Sequence, residues 1–316
     1  MHVPDDISQC IGRTPLVPLV HVARGCPVPV LAKCEHLNPG GSVKDRIAKA
    51  IVEDAEARGL LRPGTTLVEA TAGNTGLGLA LVAAARGYSL VCVMPEKMSA
   101  DKRAALTALG ARVVVTPNAP LSSPENFRNV AVRLAAEEGW FLTDQFNNPA
   151  NVRVHEETTA VEILAQAVGP LGAFVAGAGT GGTISGVGRR LKASWPGVRV
   201  ILADPEGSAL ADWVETGVPG FDGAFAVEGI GGSTPPTNLH REVLDGAERV
   251  SDADSFAMVK RLLREEGLFV GGSAGTNVVA ALRVAARGGL EGPVVTVLPD
   301  SWDRYRSKPW MRELGE

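Results

Sequence analysis

Short apolar runs rich in Val and Leu alternate along this chain with longer Ala-rich segments that mix apolar and polar positions. Strands of a parallel sheet appear in sequence as near-continuous apolar runs, with helices between them. The alternation therefore predicts βαβ units in an α/β fold with mostly parallel sheets. The predicted strands are 28–33, 66–69, 89–94, 112–116, 173–176, 198–203 and 292–298. The predicted helices are 43–58, 76–86, 100–109, 123–138, 155–167, 182–193, 252–266 and 275–287.

Two stretches break the alternation. Residues 145–151 collect turn-forming side chains and mark the predicted domain junction. Residues 216–236 are rich in Gly and Pro and carry no clear period, but the α/β pattern resumes after them. We therefore expect 216–236 to be a long functional loop over a cleft and not a linker.

Composition narrows the class of protein. The 316 residues are 45% hydrophobic and 21% charged, which is typical of an ordinary globular protein, and the net charge of −4 gives no case for nucleic-acid binding. No N-terminal signal or membrane-length apolar run is present, so a cytoplasmic protein without membrane contact is expected. Four cysteines without CxxC spacing and five scattered histidines predict free thiols and no metal site.

Several glycine-bearing turns carry the candidate chemistry. Lys44 ends the segment Asn-Pro-Gly-Gly-Ser-Val-Lys at the start of a predicted helix. Two further turns, 71–76 (Thr-Ala-Gly-Asn-Thr-Gly) and 177–183 (Gly-Ala-Gly-Thr-Gly-Gly-Thr), each follow a predicted strand and precede a helix, and 271–275 (Gly-Gly-Ser-Ala-Gly) follows later. A lysine beside such turns indicates an amine that forms a Schiff base with an aldehyde cofactor. A solvated lysine in the first turn of a helix is the alternative.

Together with 11–15 (Ile-Gly-Arg-Thr-Pro) and 298–301 (Leu-Pro-Asp-Ser), these motifs in this order resemble the fold-type II enzymes that use pyridoxal 5'-phosphate (PLP), in particular the cysteine synthase and cystathionine β-synthase family. The resemblance implies two three-layer α/β domains with PLP in the cleft. The implied smaller domain is 42–148, and the larger one combines 1–41 with 149–316. A homodimer acting on small-molecule substrates is also implied.

A dinucleotide site is the first competing interpretation. Gly177, Gly179 and Gly182 satisfy GxGxxG between a strand and a helix, and Asp204 follows at about the distance expected of a ribose-binding acid. This alternative predicts an NAD(P)-dependent oxidoreductase. Both interpretations place a phosphate on the same helix N-terminus, so the other motifs are needed to favour PLP.

A hydrolase is the second competing interpretation. Gly271, Ser273 and Gly275 match the nucleophile-elbow pattern GxSxG. That fold requires a histidine after the serine, and every histidine of this chain precedes Ser273. The order of residues therefore disfavours a Ser273 nucleophile, whereas a serine that caps the following helix remains an alternative.

The resemblance implies a role for each candidate residue. Lys44 would carry PLP and act as the catalytic residue. The other implied cofactor-binding residues are Asn74 at the 3'-oxygen, Gly179, Thr180, Gly181, Gly182 and Thr183 at the phosphate, and Ser273 at the pyridine nitrogen. The implied substrate-binding residues are Thr71, Ala72, Asn74, Thr75 and Gln145 at the carboxylate, Met98 in the 95–99 flap, and Gly229 near the entrance for the second substrate. Ala72 stands where the family commonly has serine. A plain turn in which Asn74 caps the next helix is the structural alternative for 71–76.

The implied reaction is β-replacement on an activated L-serine through an α-aminoacrylate, with O-acetyl-L-serine and sulfide giving L-cysteine. Cystathionine β-synthase activity with homocysteine and a 2,3-diaminopropionate-type synthase that uses an amine stay open as alternatives. The segment 232–236 (Gly-Ser-Thr-Pro-Pro) replaces the aromatic and acidic segment common in cystathionine β-synthases. Because only about ten residues precede Ile11, we expect no haem-binding extension, and because few residues follow Trp310, we expect no paired regulatory domains.

Overall fold

A computed structural model describes residues 3–71, 73–98 and 100–312. It has the α/β architecture that the sequence predicts. The strands are β1 Leu16–Pro18, β2 Val30–Lys33, β3 Thr66–Ala70, β4 Ser89–Pro95, β5 Arg112–Thr116, β6 Phe141–Leu142, β7 Ala173–Ala176, β8 Arg199–Pro205, β9 Gly246–Val250 and β10 Val294–Val297. The helices are α1 Lys44–Ala57, α2 Asn74–Arg86, α3 Ala100–Ala108, α4 Phe127–Glu138, α5 Ala150–Val154, α6 Ala160–Gln166, α7 Gly182–Ser194, α8 Leu210–Thr216, α9 Asp252–Glu265, α10 Gly272–Ala286 and α11 Pro309–Arg312.

The chain divides into two compact units. The first unit contains the described residues up to Ile11 and the range Asn38–Asn151, and the second contains Gly12–Leu37 and the described residues from Val152 onward. These bounds differ from the expected ones, which placed all of 1–41 in the larger domain. Ile11 joins the apolar cluster of the first unit, and Gly40 donates its N–H to Asp45 in α1 at 2.5 Å, so both contacts tie these segments to the smaller unit.

The first unit is built on a parallel four-stranded sheet in the order β5-β4-β3-β6. Its two faces pack into separate apolar clusters, one containing Leu79 of α2 and the other Val130 of α4. β3 lies between β4 and β6 and is buried from Leu67 to Ala70. The segment that follows β3 therefore leaves the carboxyl edge of the sheet near its centre.

The second unit is built on a six-stranded sheet in the order β1-β2-β10-β7-β8-β9. β1 pairs antiparallel with β2, and the remaining neighbours are parallel. Apolar clusters cover both faces, one around Val278 of α10 and the other around Ile184 of α7. β7 lies between β10 and β8, so the segment 177–181 also leaves the carboxyl edge of a sheet near its centre.

Several elements differ from the sequence-based expectations. The sequence patterns missed β1, β6, β9, α5, α8 and α11, most of which are short. The predicted helix 155–167 begins with a π-helical turn, His155–Thr159, before α6. The predicted loop 216–236 contains no helix or strand beyond the last residue of α8. Within the described ranges, no helix combines the length and hydropathy that a membrane span requires.

Candidate active site

Lys44 is the first residue of α1 and is half-buried. Its N–H donates to Ser42 Oγ at 3.2 Å, and Gly41 just before it has a φ of +75°, a conformation that glycine adopts without strain. The N-terminal end of a helix carries partial positive charge, which disfavours a lysine kept there only as a surface cation. The position of Lys44 therefore favours the cofactor-binding lysine over the solvated-lysine alternative.

The first turns of α1 and α2 pack closely because Gly78 of α2 has no side chain. A Cβ at Gly78 would lie 3.0 Å from the carbonyl oxygen of Lys44 and 3.2 Å from Asp45 Cα. Asn74 lies one helical turn before Gly78 at the start of α2. This packing brings the main chain of Lys44 against the beginning of α2. The described residues of 71–76, which lead into α2, we call the asparagine loop.

Thr71 holds the asparagine loop at the start of α2. Its buried Oγ1 accepts the N–H of Gly73 at 3.1 Å and that of Gly76 at 3.2 Å. Asn74 is the first helical residue and not the cap, since the cap position is occupied by Gly73. The alternative in which Asn74 caps the helix is therefore wrong. Ala72, expected at the substrate carboxylate, lies outside the described residues.

Thr75 and Gln145 come together inside the first unit. Thr75 Oγ1 lies 2.5 Å from Gln145 Oε1, and both side chains are buried. The Nε2 of Gln145 lies 3.1 Å from Glu69 Oε1 and 3.1 Å from the carbonyl oxygen of Ala70. The structure thus places Gln145 against Thr75 of the asparagine loop, with the Gln145 NH₂ group bonded to protein acceptors.

Met98 lies in the predicted flap, of which Ser99 falls outside the described residues. The Met98 N–H donates to the carbonyl oxygen of Pro95 at 3.1 Å, and its half-buried side chain packs against the apolar cluster that contains Leu79 and Leu106. In this structure Met98 therefore contributes to the core of the first unit. Its role in covering a substrate stays a prediction.

Residues 179–183, which we call the glycine loop, comprise the end of the turn that follows β7 and the first two residues of α7 in the second unit. Gly181 has a φ of +85°, and a Cβ on it would lie 2.5 Å from the Leu239 N atom. A Cβ on Gly179 would lie 2.2 Å from the carbonyl oxygen of Gly229. Gly181 also occupies the cap position of α7 without any side-chain cap bond. Only glycine fits at 179 and 181, and the first N–H groups of α7 have no acceptors within the helix.

Gly229 supports the glycine loop from the segment 229–231. Its carbonyl oxygen lies against Gly179, the Gly231 N–H donates to the Ala178 carbonyl oxygen at 2.9 Å, and Ile230 packs against Gly177. The structure therefore brings Gly229 to the glycine loop as a main-chain support. Contact of Gly229 with a second substrate stays a prediction.

Thr183 forms a side-chain contact that the sequence did not indicate. Its Oγ1 lies 3.1 Å from Nε2 of the buried His155, and Nδ1 of the same ring lies 2.9 Å from Thr159 Oγ1. His155 opens the π-helical turn, a distortion that occurs often at functional sites. His155 therefore fixes the orientation of the Thr183 hydroxyl in the glycine loop.

Ser273 is the second residue of α10 and is buried. The cap position belongs to Gly271, whose N–H donates to the Asp300 carbonyl oxygen at 3.1 Å, and no side chain caps this helix. The interpretation of Ser273 as a helix cap is therefore wrong. α10 begins three residues earlier than the expected start at Gly275, where a Cβ would lie 2.0 Å from the Ser255 carbonyl oxygen of α9.

Comparison with known proteins identifies the family. The family model for pyridoxal-phosphate dependent enzymes matches residues 7–300. This chain belongs to that family. It is 45% identical to a cystathionine beta-synthase of Apis mellifera, covering 98% of this chain and 63% of the relative, and 43% identical to a cysteine synthase of Staphylococcus aureus, covering 96% of both. The chain thus spans about three fifths of the length of the cystathionine beta-synthase.

Solved structures agree with this assignment. The crystal structure of O-ureido-L-serine synthase superposes with a TM-score of 0.90 at 40% identity, covering 98% of this chain and 96% of that one. An O-acetylserine dependent cystathionine beta-synthase from Helicobacter pylori gives a TM-score of 0.86 at 38% identity, covering 98% and 99%. The expected fold-type II architecture is confirmed, and PLP is the cofactor of the family.

The residues of the second unit fit a phosphorylated cofactor. The glycine loop has no Cβ at the two positions where one would meet neighbouring main chain, and it leads into a helix of 13 residues. Main-chain N–H groups and the positive end of the helix dipole bind phosphate at such a start. The local geometry is therefore that of an anion cradle.

The dinucleotide-site and hydrolase interpretations each require one residue in a particular setting, and the structure places neither residue in that setting. Asp204, the proposed ribose acid, is buried, and its Oδ2 accepts the Ala211 N–H of α8 at 2.8 Å. Burial raises the pKa of Asp204 to about 6, while its hydrogen bonds with Ser208 and Ala211 act in the opposite direction. Ser273 lies inside a helix and not on the strained turn of a nucleophile elbow. Among the described residues, no cluster of His, Cys, Asp or Glu is arranged to hold a metal.

Proposed function

We propose that this protein catalyses PLP-dependent β-replacement on an activated L-serine, with O-acetyl-L-serine as the amino-acid substrate and sulfide as the nucleophile. The geometry of the glycine loop suits the phosphate of a cofactor, and this observation supports the assignment of PLP. The similarity to a cysteine synthase over 96% of both chains supports the substrates. The O-acetylserine dependent relative supports an activated serine independently of the nucleophile.

The proposed roles follow the positions of the residues in their units. Lys44 Nζ would hold the cofactor covalently and, once released by the incoming amino acid, would take the proton from its α-carbon. The main-chain N–H groups of the glycine loop would bind the phosphate, and Ser273 Oγ the pyridine nitrogen. When bound, PLP would supply the electron sink for the negative charge left on the α-carbon after proton removal, and the β-substituent would leave with its bonding electrons. A serine hydroxyl cannot hold the pyridine nitrogen protonated as a carboxylate would, which favours elimination over transamination.

Two other nucleophiles have specific support. Similarity to cystathionine beta-synthases supports homocysteine. Similarity to O-ureido-L-serine synthase supports a small nucleophile other than sulfide, as an amine-using 2,3-diaminopropionate-type synthase would require. The segment 232–236 offers only two hydroxyl groups among Gly and Pro, and therefore few groups to orient the amine and carboxylate of homocysteine. We favour sulfide for this reason.

The test combines absorbance with product analysis. The purified protein should show the visible absorbance of bound PLP, and Lys44→Ala should lose the covalent linkage and turnover. Lys49→Ala, on the same helix but paired at the surface with Glu53, is the matched control and should retain both. A colourless wild-type protein that binds a nicotinamide cofactor would contradict the proposal.

Competition between nucleophiles decides the second substrate. The enzyme would be given O-acetyl-L-serine or L-serine with equal concentrations of sulfide, homocysteine and a small amine, and the products identified by mass spectrometry. We expect L-cysteine from O-acetyl-L-serine to predominate. If cystathionine predominated, the second substrate would be homocysteine, and if a diamino acid predominated, it would be the amine. A homodimer and a cytoplasmic location stay predictions, the former checked by light scattering.

A further inference from the structure

A buried carboxylate, that of Glu69, lies near the end of β3 in the first unit. The side chain is 1% exposed. Its Oε2 accepts the Gln145 N–H at 3.2 Å and contacts the Thr143 hydroxyl, and its Oε1 lies 3.1 Å from Gln145 Nε2. Glu69 is therefore bonded to both the main chain and the side chain of Gln145, and it belongs to none of the motifs that indicated the cofactor.

These contacts determine which way the Gln145 amide is turned. One face of the amide lies against Glu69 Oε1 and the Ala70 carbonyl oxygen, each 3.1 Å away. A main-chain carbonyl cannot donate a hydrogen bond and neither can an ionised carboxylate, so the NH₂ group must lie on this face. The carbonyl oxygen of Gln145 therefore points to Thr75.

The orientation of Gln145 in turn sets the polarity of Thr75. Thr75 Oγ1 lies 2.5 Å from Gln145 Oε1, which can only accept, so the threonine donates its single hydroxyl proton there. Thr75 then meets any further partner as an acceptor. Donors to an anionic group are consequently left to the main-chain N–H groups at the start of α2, of which those of Gly73 and Gly76 already donate to Thr71.

We propose that Glu69 is a positioning residue of the amino-acid site, which holds the Gln145 amide with its NH₂ group inward and thereby makes Thr75 an acceptor. This inference rests on the proposed function only in assigning Gln145 and Thr75 to the amino-acid substrate. The hydrogen-bond arrangement itself is independent of that assignment. A substrate carboxylate would then be bound by main-chain N–H groups, while Thr75 offers lone pairs to an ammonium or N–H group.

Burial and, to a smaller extent, neighbouring charges shift the pKa of Glu69, so the ionisation of Glu69 should change with pH in the neutral range. Burial raises the pKa of Glu69 to about 7, against the lowering effect of its bonds from Thr143 and Gln145, and the charge of Asp144 raises it further. Two other titratable groups interact with the charge of Glu69. Burial raises the pKa of Cys92 to about 12, and the charge of Glu69 acts in the same direction. Burial lowers the pKa of Arg128, and the charge of Glu69 acts in the opposite direction.

The residues around Glu69 can also form hydrogen bonds with its protonated form. Thr143 Oγ1 lies 3.2 Å from the Val68 carbonyl oxygen, so its hydroxyl can donate there while accepting a hydrogen bond from the protonated Oε2 of Glu69. The bond from Gln145 Nε2 then goes to a neutral acceptor and weakens, since hydrogen bonds to charged groups are stronger. The side-chain NH₂ of Gln145 should consequently report the ionisation of Glu69.

The first test reads this arrangement directly in the PLP-loaded protein without substrate. The side-chain ¹⁵NH₂ resonance of Gln145, assigned by its loss in Gln145→Leu, should be protected from solvent exchange and should shift with a single titration near pH 7. In Glu69→Gln the titration should disappear. A Gln145 NH₂ signal that exchanges freely with solvent, or that shifts with pH equally in Glu69→Gln, would overturn the proposal.

The second test reads the amino-acid site. In Glu69→Gln the new amide can donate as well as accept, so the Ala70 carbonyl alone still requires the NH₂ group on this face. With one fixed acceptor in place of two, the Gln145 amide is held less strongly, and KM for the amino-acid substrate should rise up to about tenfold, the equivalent of one hydrogen bond. The kcat and the absorbance of bound PLP should change little. The matched control is Thr143→Val, which removes a bond to Glu69 but leaves Gln145 in contact, and should lower stability with KM within about twofold.

The outcomes separate the two proposals. An unchanged KM in Glu69→Gln, or an equal rise in both variants, would mean that Glu69 is only structural. Absence of β-replacement by the wild-type protein would contradict the proposed function, whereas the resonance titration would still support or overturn the role of Glu69.

Discussion

The asparagine loop of the first unit and the glycine loop of the second are both strand-to-helix turns that follow a strand with parallel neighbours on both sides, yet they are held in different ways. The asparagine loop is held by side chains, with Thr71 accepting two of its N–H groups at 3.1 and 3.2 Å. The glycine loop is held by main chain, since Gly179 and Gly181 lie directly against the backbone of Gly229 and Leu239.

The difference indicates two kinds of binding. A loop pressed between main-chain segments can be neither enlarged nor reshaped by one side chain, which suits a cofactor that stays in place. A loop held by side-chain hydrogen bonds can exchange partners when a substrate arrives and leaves. We therefore expect substitutions in the glycine loop to affect cofactor retention, and substitutions around the asparagine loop to affect KM.

The largest effect is expected from Gly181→Ala. The new Cβ would lie 2.5 Å from the Leu239 N atom and 2.6 Å from its Cα, and the positive φ of +85° adds strain. Gly169→Ala is the matched control, with a φ of +86° and nothing within 4 Å of its Cβ. The control should cost about 1–2 kcal/mol of unfolding free energy, and Gly181→Ala roughly 1–3 kcal/mol more.

Urea unfolding and PLP absorbance after dialysis check this prediction. Gly181→Ala should also lose PLP on dialysis, whereas Gly169→Ala should retain it. Equal behaviour of the two variants would show that the contact with Leu239 relaxes easily and that the glycine loop is not rigid.

Thr71→Val should give the next largest effect. The valine removes the acceptor of the Gly73 and Gly76 N–H groups, which should cost about 1–3 kcal/mol of unfolding free energy because buried donors lose their partner. KM for the amino acid should rise, while PLP is retained. Thr71→Ser keeps the hydroxyl and should behave as wild type. Loss of PLP from Thr71→Val would contradict the division of tasks between the two loops.

The pH dependence of stability tests the support beneath the asparagine loop. Because burial raises the pKa of Glu69 from 4.5 to about 7, the folded state binds the proton more tightly than the unfolded state. The stability from Glu69 is thus fully present below pH 4.5 and is lost as pH rises through 7. Relative to Glu69→Gln, the wild-type protein should lose on the order of 1 kcal/mol for each pH unit in that window. A constant difference between the two proteins would contradict the shifted pKa.

The smallest effect is expected from Ser273→Ala. Ser273 does not cap α10, so its loss should change the unfolding free energy by no more than about 0.5 kcal/mol. Ser251→Ala is the matched comparison, because Ser251 Oγ caps α9 by accepting the Asp254 N–H at 3.1 Å and should cost about 1 kcal/mol. Ser273→Ala should shift the absorbance of bound PLP, and Ser251→Ala should not. The reverse pattern would make Ser273 a purely structural residue.

Much of the fold was readable from local pattern. The strands 112–116 and 173–176 were predicted with the bounds that the structure has. The strand 173–176 is a fully buried apolar run, as expected of a central parallel strand, whereas 112–116 is an edge strand that its run of three valines made recognisable. The strands β6 and β9 were missed. β6 has only two residues, and β9 includes the charged pair Glu248 and Arg249, so their pairing depends on neighbours distant in the chain.

The sequence by itself determined the α/β class and the chemistry of the motifs, because strand and helix periods, glycines and a lysine are local properties. Only the tertiary structure decided how those residues are held. Gly181 is required because of Leu239, Thr183 is oriented by His155, and Gln145 by Glu69. Each of these pairs is separated by 28 or more residues in the chain, and no local pattern encodes which distant side chain or main-chain segment will fill the space beside a loop.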